Sequence, residues 1–167
     1  MNRILFSFFA SAMTAAAFAT ELDLAGTWKL VKADDAKVTC PIAVPGGVHT
    51  ALLKAGLMKD AFWGQNEKDM QWVGKSDWNI SREFEVSKDL LAKKEIVLRL
   101  EDCDAFATIF VNGQKVGTRT GRREWSDGNL RIEGVKLRKG RNDLVLRLAH
   151  ADSAWLLSAR KLLHIAR

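Results

Sequence analysis

The sequence predicts an all-β fold, a β-sandwich or jelly roll, and three observations carry that expectation. Short runs with apolar residues at alternate positions recur along the chain, the period of half-buried strands. Val111 runs straight into Asn112-Gly113, and Gln114 opens a second such run. Asn-Gly between strand-like segments marks a tight hairpin, because both turn residues take positive φ. The 167 residues, once a leader is set aside, suffice for one domain with a real core, and they hold no internal repeat or low-complexity linker. Many short antiparallel strands in a domain of that size make a sandwich.

The elements follow in order. Residues 1–19 have a basic start at Arg3, an apolar run and the small-residue ending Ala17-Phe18-Ala19. This is the layout of a secretory signal cut after Ala19, so the working chain is 20–167 and is exported, to a periplasm or the exterior. The apolar part is short and rich in Ala, so no membrane association is expected after cleavage. Thr27 to Val31 alternates after a Gly, as an opening strand does. After the break at Val44-Pro45-Gly46, residues 47–55 read as a short amphipathic helix. Ile80 to Val86 alternates with Ile80, Arg82, Phe84 and Val86 on one face; the charge of Arg82 there puts this strand near an edge or a polar pocket. Ile96, Leu98 and Leu100 form an inward set, and after a turn at Lys139-Gly140-Arg141-Asn142 so do Leu144, Leu146 and Leu148. From 151 to 167, Trp155, Ala159, Leu162 and Leu163 recur at helical spacing, so a C-terminal helix is expected.

Composition excludes several classes of function. The net charge of +6 is dispersed, its one tight cluster being Arg119-Thr120-Gly121-Arg122-Arg123. A dispersed excess is solvated surface rather than a stripe for nucleic acid, and no nucleic-acid partner is expected. The three histidines, His49, His150 and His164, are scattered and no metal-ligand spacing occurs, so neither a metal nor another cofactor is expected. Cys40 and Cys103 are either a disulfide or separate thiols, Cys103 standing between Asp102 and Asp104 at an inward position.

The most unusual stretch is Gly56 to Trp78, where Trp63, Trp72 and Trp78 lie among acidic and amide residues. Ring faces beside fixed polar groups suit carbohydrate, whose C–H face packs on an aromatic while its hydroxyls take hydrogen bonds. The same tryptophans also serve as plugs at the edge of a core. Trp72 and Trp78 fit that structural role better because each borders an expected strand. Trp28 and Trp125 read as core or sheet edge, and His49 as a packing histidine.

The order of the motifs resembles the N-terminal domain of the β-mannosidases of glycoside hydrolase family 2. The likeness runs through Leu24-Ala25-Gly26-Thr27-Trp28, Ala43-Val44-Pro45-Gly46-Gly47-Val48-His49 and Gly56-Leu57. It continues through Phe62-Trp63-Gly64-Gln65-Asn66-Glu67, Gln71-Trp72-Val73-Gly74 and Asp77-Trp78. The later half adds Asp104-Ala105-Phe106-Ala107-Thr108, Val111-Asn112-Gly113 and Gly140-Arg141-Asn142, so the likeness extends to about His150. It implies a galactose-binding-like jelly roll packed against later domains. The family's two catalytic glutamates lie on a (β/α)₈ barrel of about 250 residues, for which 20–167 has no room, and its Gly-Trp-Asp-Trp-Gly segment is absent before Arg167. The resemblance therefore implies no catalytic residue here, and a substrate-binding set in which Asp104 opens a strand toward the sugar of the parent enzyme. Trp63, Asn66 and Glu67 either line the cleft beside the barrel or brace their own loop, and Asp104 is either a sugar ligand or a turn aspartate. The implied partners are a β-mannoside, met within the parent enzyme, and a catalytic barrel carried as a domain or as a separate subunit. An independent carbohydrate-binding module is the alternative.

Overall fold

Strand β1, Gly26–Lys32, sends Trp28 and Leu30 inward and turns back into β2, Thr39–Val44, where Cys40, Ile42 and Val44 are buried. The computed structural model describes residues 22–60, 66–93, 95–100, 106–120, 130–150 and 163–164. β2 is an outer strand of its sheet, which is where Pro41, unable to donate a ladder hydrogen bond, is tolerated. Helix α1, Val48–Lys54, covers this end with Val48, Ala51 and Leu52. Helix α2 is Asn66–Gly74, and Asp77 leads into β3, Trp78–Val86. A single turn, α3 (Lys88–Leu91), is capped by Ser87, whose Oγ accepts from the Leu90 N–H. There follow β4 (Val97–Leu100), β5 (Phe106–Val111), β6 (Gln114–Thr120), β7 (Leu130–Glu133), β8 (Gly140–Leu148) and β9 (Leu163–His164).

The strands form a six-stranded sheet in the order β2-β1-β3-β8-β5-β6 and a three-stranded sheet in the order β7-β4-β9, with antiparallel ladders. One core joins them. Leu30, Ile80, Ile109, Leu144 and Leu146 come from the large sheet, Leu98, Leu100 and Ile132 from the small one. This is the expected all-β sandwich with its short helix near 47–55. The Asn112-Gly113 hairpin is present as well, with φ values of 50° and 76°.

Two expectations change. Leu163–His164 is a strand paired with Val97 and Leu98, so the C-terminal helix does not run through these positions; 151–162 and 165–167 lie outside the described residues. Pairing with the exposed side of β4 outweighs the local helical spacing. In the other direction, Asn66–Gly74 is helical where the sequence reads as a loop. Its buried face is little more than Met70 and Val73, with Trp72 half-buried beside them, too narrow a stripe to stand out as a period.

Two polar clusters tie the strand ends. Asn142 is almost fully buried: its Nδ2 donates to the carbonyls of Arg138 and Gly140, and its Oδ1 accepts from Arg138 N–H and from Asn112 Nδ2, all at 2.8 Å. Asn112 Oδ1 in turn accepts from Arg138 Nη2 at 2.9 Å and Asp143 N–H at 3.2 Å. The Val-Asn-Gly and Gly-Arg-Asn motifs are thus one hydrogen-bonded unit. At the opposite ends of the same strands, Asp77 Oδ1 accepts from His150 N–H at 2.6 Å and lies 3.0 Å from the His150 ring nitrogen. Trp78 next to it is buried, with its indole N–H on the Val73 carbonyl and its ring 5.9 Å from Trp72.

Asn142→Ala strands several buried groups at once, and urea unfolding is expected to show a loss of about 2–3 kcal/mol with an unchanged slope; a loss under about 0.5 kcal/mol would contradict the role given to this network. Asp77 titrates below its usual 3.8, first because the His150 backbone N–H stabilises the carboxylate. A depressed folded pKa gives stability present above the unfolded value and lost as pH falls through the folded one. Asp77→Asn is therefore expected to be the less stable protein at pH 7, with the gap narrowing below pH 3.8; a pH-independent gap in thermal melts would contradict this.

Candidate functional site

Of the residues the sequence singles out for sugar, Asn66 alone has a described side chain. It starts α2, and its Nδ2 donates to the Asp60 carbonyl at 2.9 Å, closing the loop that precedes the helix. Glu67 occupies the same helix, and its side chain lies outside the described residues, as do Trp63 and Asp104 altogether, with Cys103 and Trp125. The structure therefore neither assembles nor separates that set. His49 is half-buried on α1, where burial pushes its pKa down and favours the neutral ring. Cys40 is a free thiol on the core face of β2 whose pKa burial pushes up, the opposite of a reactive nucleophile. Among the described residues no cluster of His, Cys, Asp and Glu suits a metal, and no helix is long and apolar enough to cross a membrane.

The described residues do build one sizeable groove, and it begins where two strands part. β1 and β3 pair only between Lys29–Lys32 and Trp78–Ser81. Beyond Ser81, β3 keeps its partner β8 through to Val86, while Gly26–Trp28 of β1 pairs with β2 alone. Arg82 stands at this fork. Its Nη1 donates to the Leu24 carbonyl at 2.7 Å and to the Ala25 carbonyl, and Leu24 O also accepts the Trp28 indole N–H at 2.8 Å. The charge on the apolar face of β3 thus marks a polar pocket at a local sheet edge. Gly26 is required there: its φ is +124°, and a Cβ would sit 3.2 Å from Arg82 Nη1.

The groove above the fork has a volume of about 790 Å³, within the range of small-molecule sites. Thr27, Lys29, Ser81, Glu83 and Asp143 line it from three strands, Trp28 and Arg82 close it toward the core, and Val145 adds an apolar wall. Glu83 and Asp143 are directly opposed across β3 and β8, an unfavourable pairing of like charges. Arg141 answers Glu83 with an ion pair. The side chains of Thr27, Lys29, Ser81 and Asp143 hold no hydrogen bond or ion pair with other described residues. A second hollow of about 380 Å³ adjoins the first, sharing Glu83 and Asp143 and adding Arg138, Lys139, Arg141 and Asn142. Taken singly, these residues look in the sequence like ordinary strand surface. Arg82, out of place on an apolar face, is the signal that finds them.

Residues 28–160 match the family model described as glycosyl hydrolase 2 galactose-binding domain-like. A probable beta-mannosidase of Caenorhabditis elegans is 33% identical over 97 residues, which are 58% of this chain and 11% of that protein. The beta-mannosidase of Capra hircus is 30% identical over 105 residues, 61% of this chain and 12% of its own length. The chain thus spans about a tenth of the length of the curated relatives it matches. Among solved structures, a beta-D-mannosidase from Dictyoglomus thermophilum is similar at 34% identity and a TM-score of 0.68, over 77% of this chain and 15% of that one. An exo-chitosanase from Amycolatopsis orientalis shares the fold at 14% identity and a TM-score of 0.65, over 88% of this chain and 20% of that one.

The fork makes a coupled pair of Gly26 and Arg82. Gly26→Ala and Arg82→Met are each expected to lower stability in urea unfolding by about 1–3 kcal/mol. Because both disturb the same carbonyl contacts, the double variant is expected to lose at least about 0.5 kcal/mol less than the sum. Strict additivity would mean that Gly26 and Arg82 act independently.

Proposed function

The chain belongs to the glycosyl hydrolase 2 galactose-binding domain-like family, and from that premise we propose that it is the non-catalytic N-terminal sandwich of a β-mannosidase-type glycosidase, forming part of the wall of the substrate cleft. The parent reaction is the release of terminal β-D-mannose. The observation that carries the proposal is the 34% identity and shared fold with a beta-D-mannosidase over 77% of this chain.

The mechanism fits a division of labour. Retaining hydrolysis needs two carboxyl groups about 5–5.5 Å apart across the scissile bond, one nucleophilic and one able to give and take a proton. The opposed pair Glu83 and Asp143 is a poor candidate: it faces outward from an open sheet, and Arg141 holds Glu83 as an ion-paired carboxylate. In this reading bond cleavage belongs to a barrel-bearing polypeptide, and the sandwich offers it a preformed side. Asp104, Trp63, Asn66 and Glu67 are the residues of this chain proposed to reach that cleft. Residues 1–19 are proposed as an export leader, which places the domain outside the cytoplasm.

The reading is tested by incubating the purified chain with an aryl β-mannoside. No phenol release above the uncatalysed background is expected from the chain alone. Turnover that survives repeated purification would overturn the non-catalytic role.

A further inference from the structure

We propose that Asn112 is a latent deamidation site, held back by the hydrogen bonds that tie its side-chain amide to Asn142, Arg138 and Asp143. The proposal concerns the covalent chemistry of the Asn112-Gly113 turn and does not depend on the role of the domain within a larger glycosidase.

The neighbouring residue is the first argument. Asn112 is the one asparagine of the sequence that precedes a glycine. With no side chain on the following residue, nothing screens its backbone nitrogen from the asparagine amide carbon. Gly113 is exposed, and a Cβ there would meet no heavy atom within 4 Å. The step is an acyl transfer. The Gly113 nitrogen attacks Asn112 Cγ, the new N–C bond closes a five-membered imide, and the Cγ–Nδ2 bond breaks. The proton lost from the Gly113 nitrogen leaves with Nδ2 as ammonia. Water, the one other reactant, then opens the imide, giving aspartate by attack at Cγ and isoaspartate by attack at the main-chain carbonyl. No oxidant or reductant takes part.

Position is the second argument. Ring closure needs Cγ swung onto the Gly113 nitrogen, and the structure ties the amide to β8 and the turn before it. Nδ2 donates to Asn142 Oδ1 at 2.8 Å, and Oδ1 accepts from Arg138 Nη2 at 2.9 Å and Asp143 N–H at 3.2 Å. Asn142 cannot follow a moving amide, because it is almost fully buried and bonded to Arg138 and Gly140. The backbone is held as well. Asn112 has a φ of 50° in a two-residue hairpin loop, and its N–H donates to the Asp143 carbonyl at 3.0 Å. Two donors on Oδ1 would polarise Cγ if the nitrogen could reach it. Protection therefore comes from position.

The product is the third argument. Aspartate at 112 has no Nδ2 donor and sets an acceptor against Asn142 Oδ1. Isoaspartate adds a main-chain carbon to a turn whose two residues are fixed at positive φ. Either product loosens the hairpin from β8, and neither reverts, so the reaction runs one way.

The test incubates the purified full chain in mildly alkaline buffer and follows residue 112 by mass spectrometry of the proteolytic peptide that carries it. Conversion in the folded chain is expected to be about tenfold or more slower than in the same chain unfolded in guanidinium chloride, because these bonds must open before the ring closes. Asn142→Ala, kept below its melting temperature, should speed conversion about fivefold or more over the folded parent. Arg138→Met, a milder change that removes only the bond from Nη2, should speed it about threefold. Arg82→Met is the control, since it lowers stability elsewhere and leaves this network in place; its rate should stay within about twofold of the parent. Equal rates in the folded and unfolded chain would overturn the proposal, as would a folded Asn142→Ala or Arg138→Met chain that converts no faster than the parent. Equal acceleration in Arg82→Met would also overturn it, by tracing the protection to global stability.

Discussion

The bonds between the Arg82 guanidinium and the carbonyls of Leu24 and Ala25 govern the outer face of the larger sheet. A six-stranded sheet with β1 zipped along the whole of β3 would offer a continuous polar surface. Here the ladder stops at Lys29 and Ser81. The chain before Gly26 passes beneath the opening, with Leu24 buried in the core and its carbonyl shared between Trp28 and Arg82. A partly buried cation needs partners, and the Leu24 and Ala25 carbonyls supply them. The fork is therefore satisfied in its own right, and the groove above it follows from the sheet.

Three polar residues of the family motifs, Asp77, Asn112 and Asn142, act as fasteners at the two ends of β8. Asn112 and Asn142 join the hairpin to the turn that starts β8, and Asp77 joins the start of β3 to the end of β8. Between them Leu144, Leu146 and Leu148 are fully buried in the core shared by both sheets. Burial supplies most of the driving force, and the polar ends fix which residues lie opposite one another. That register is what lines up Lys29, Ser81 and Val145 across three strands, and Glu83 with Asp143 across two.

The parts of the fold legible in the sequence are those whose information is local. Alternation in Thr27–Val31 and Ile80–Val86, the leucine triplet of β8 and the Asn-Gly turn each specify their element over a few residues. Helix α2 was hidden because its buried stripe is narrow and its tryptophans lie among charges. β9 was hidden because its conformation is set by Val97 and Leu98, more than sixty positions earlier. The site shows the same division. Arg82 announced a pocket by breaking an apolar face, yet its partners lie 57 and 58 residues away and no periodicity points to them. Asn112 and Asn142 read as two separate turns, though they form one network across 30 residues. Thr27, Lys29, Ser81 and Asp143 become a set only once three strands are laid side by side.

Family membership accounts for the sandwich, while the groove at the fork follows from this chain's own Gly26 and Arg82. The most direct measurement of that fork is residue-resolved amide hydrogen exchange along β3. If the sheet parts after Ser81, the amides of Trp78–Ser81 should be uniformly slow, and those of Arg82–Val86 should alternate between slow, on the β8 side, and fast, on the open side. Uniform slow exchange from Trp78 to Val86 would mean that β1 and β3 stay paired throughout, and the groove would lose its physical basis.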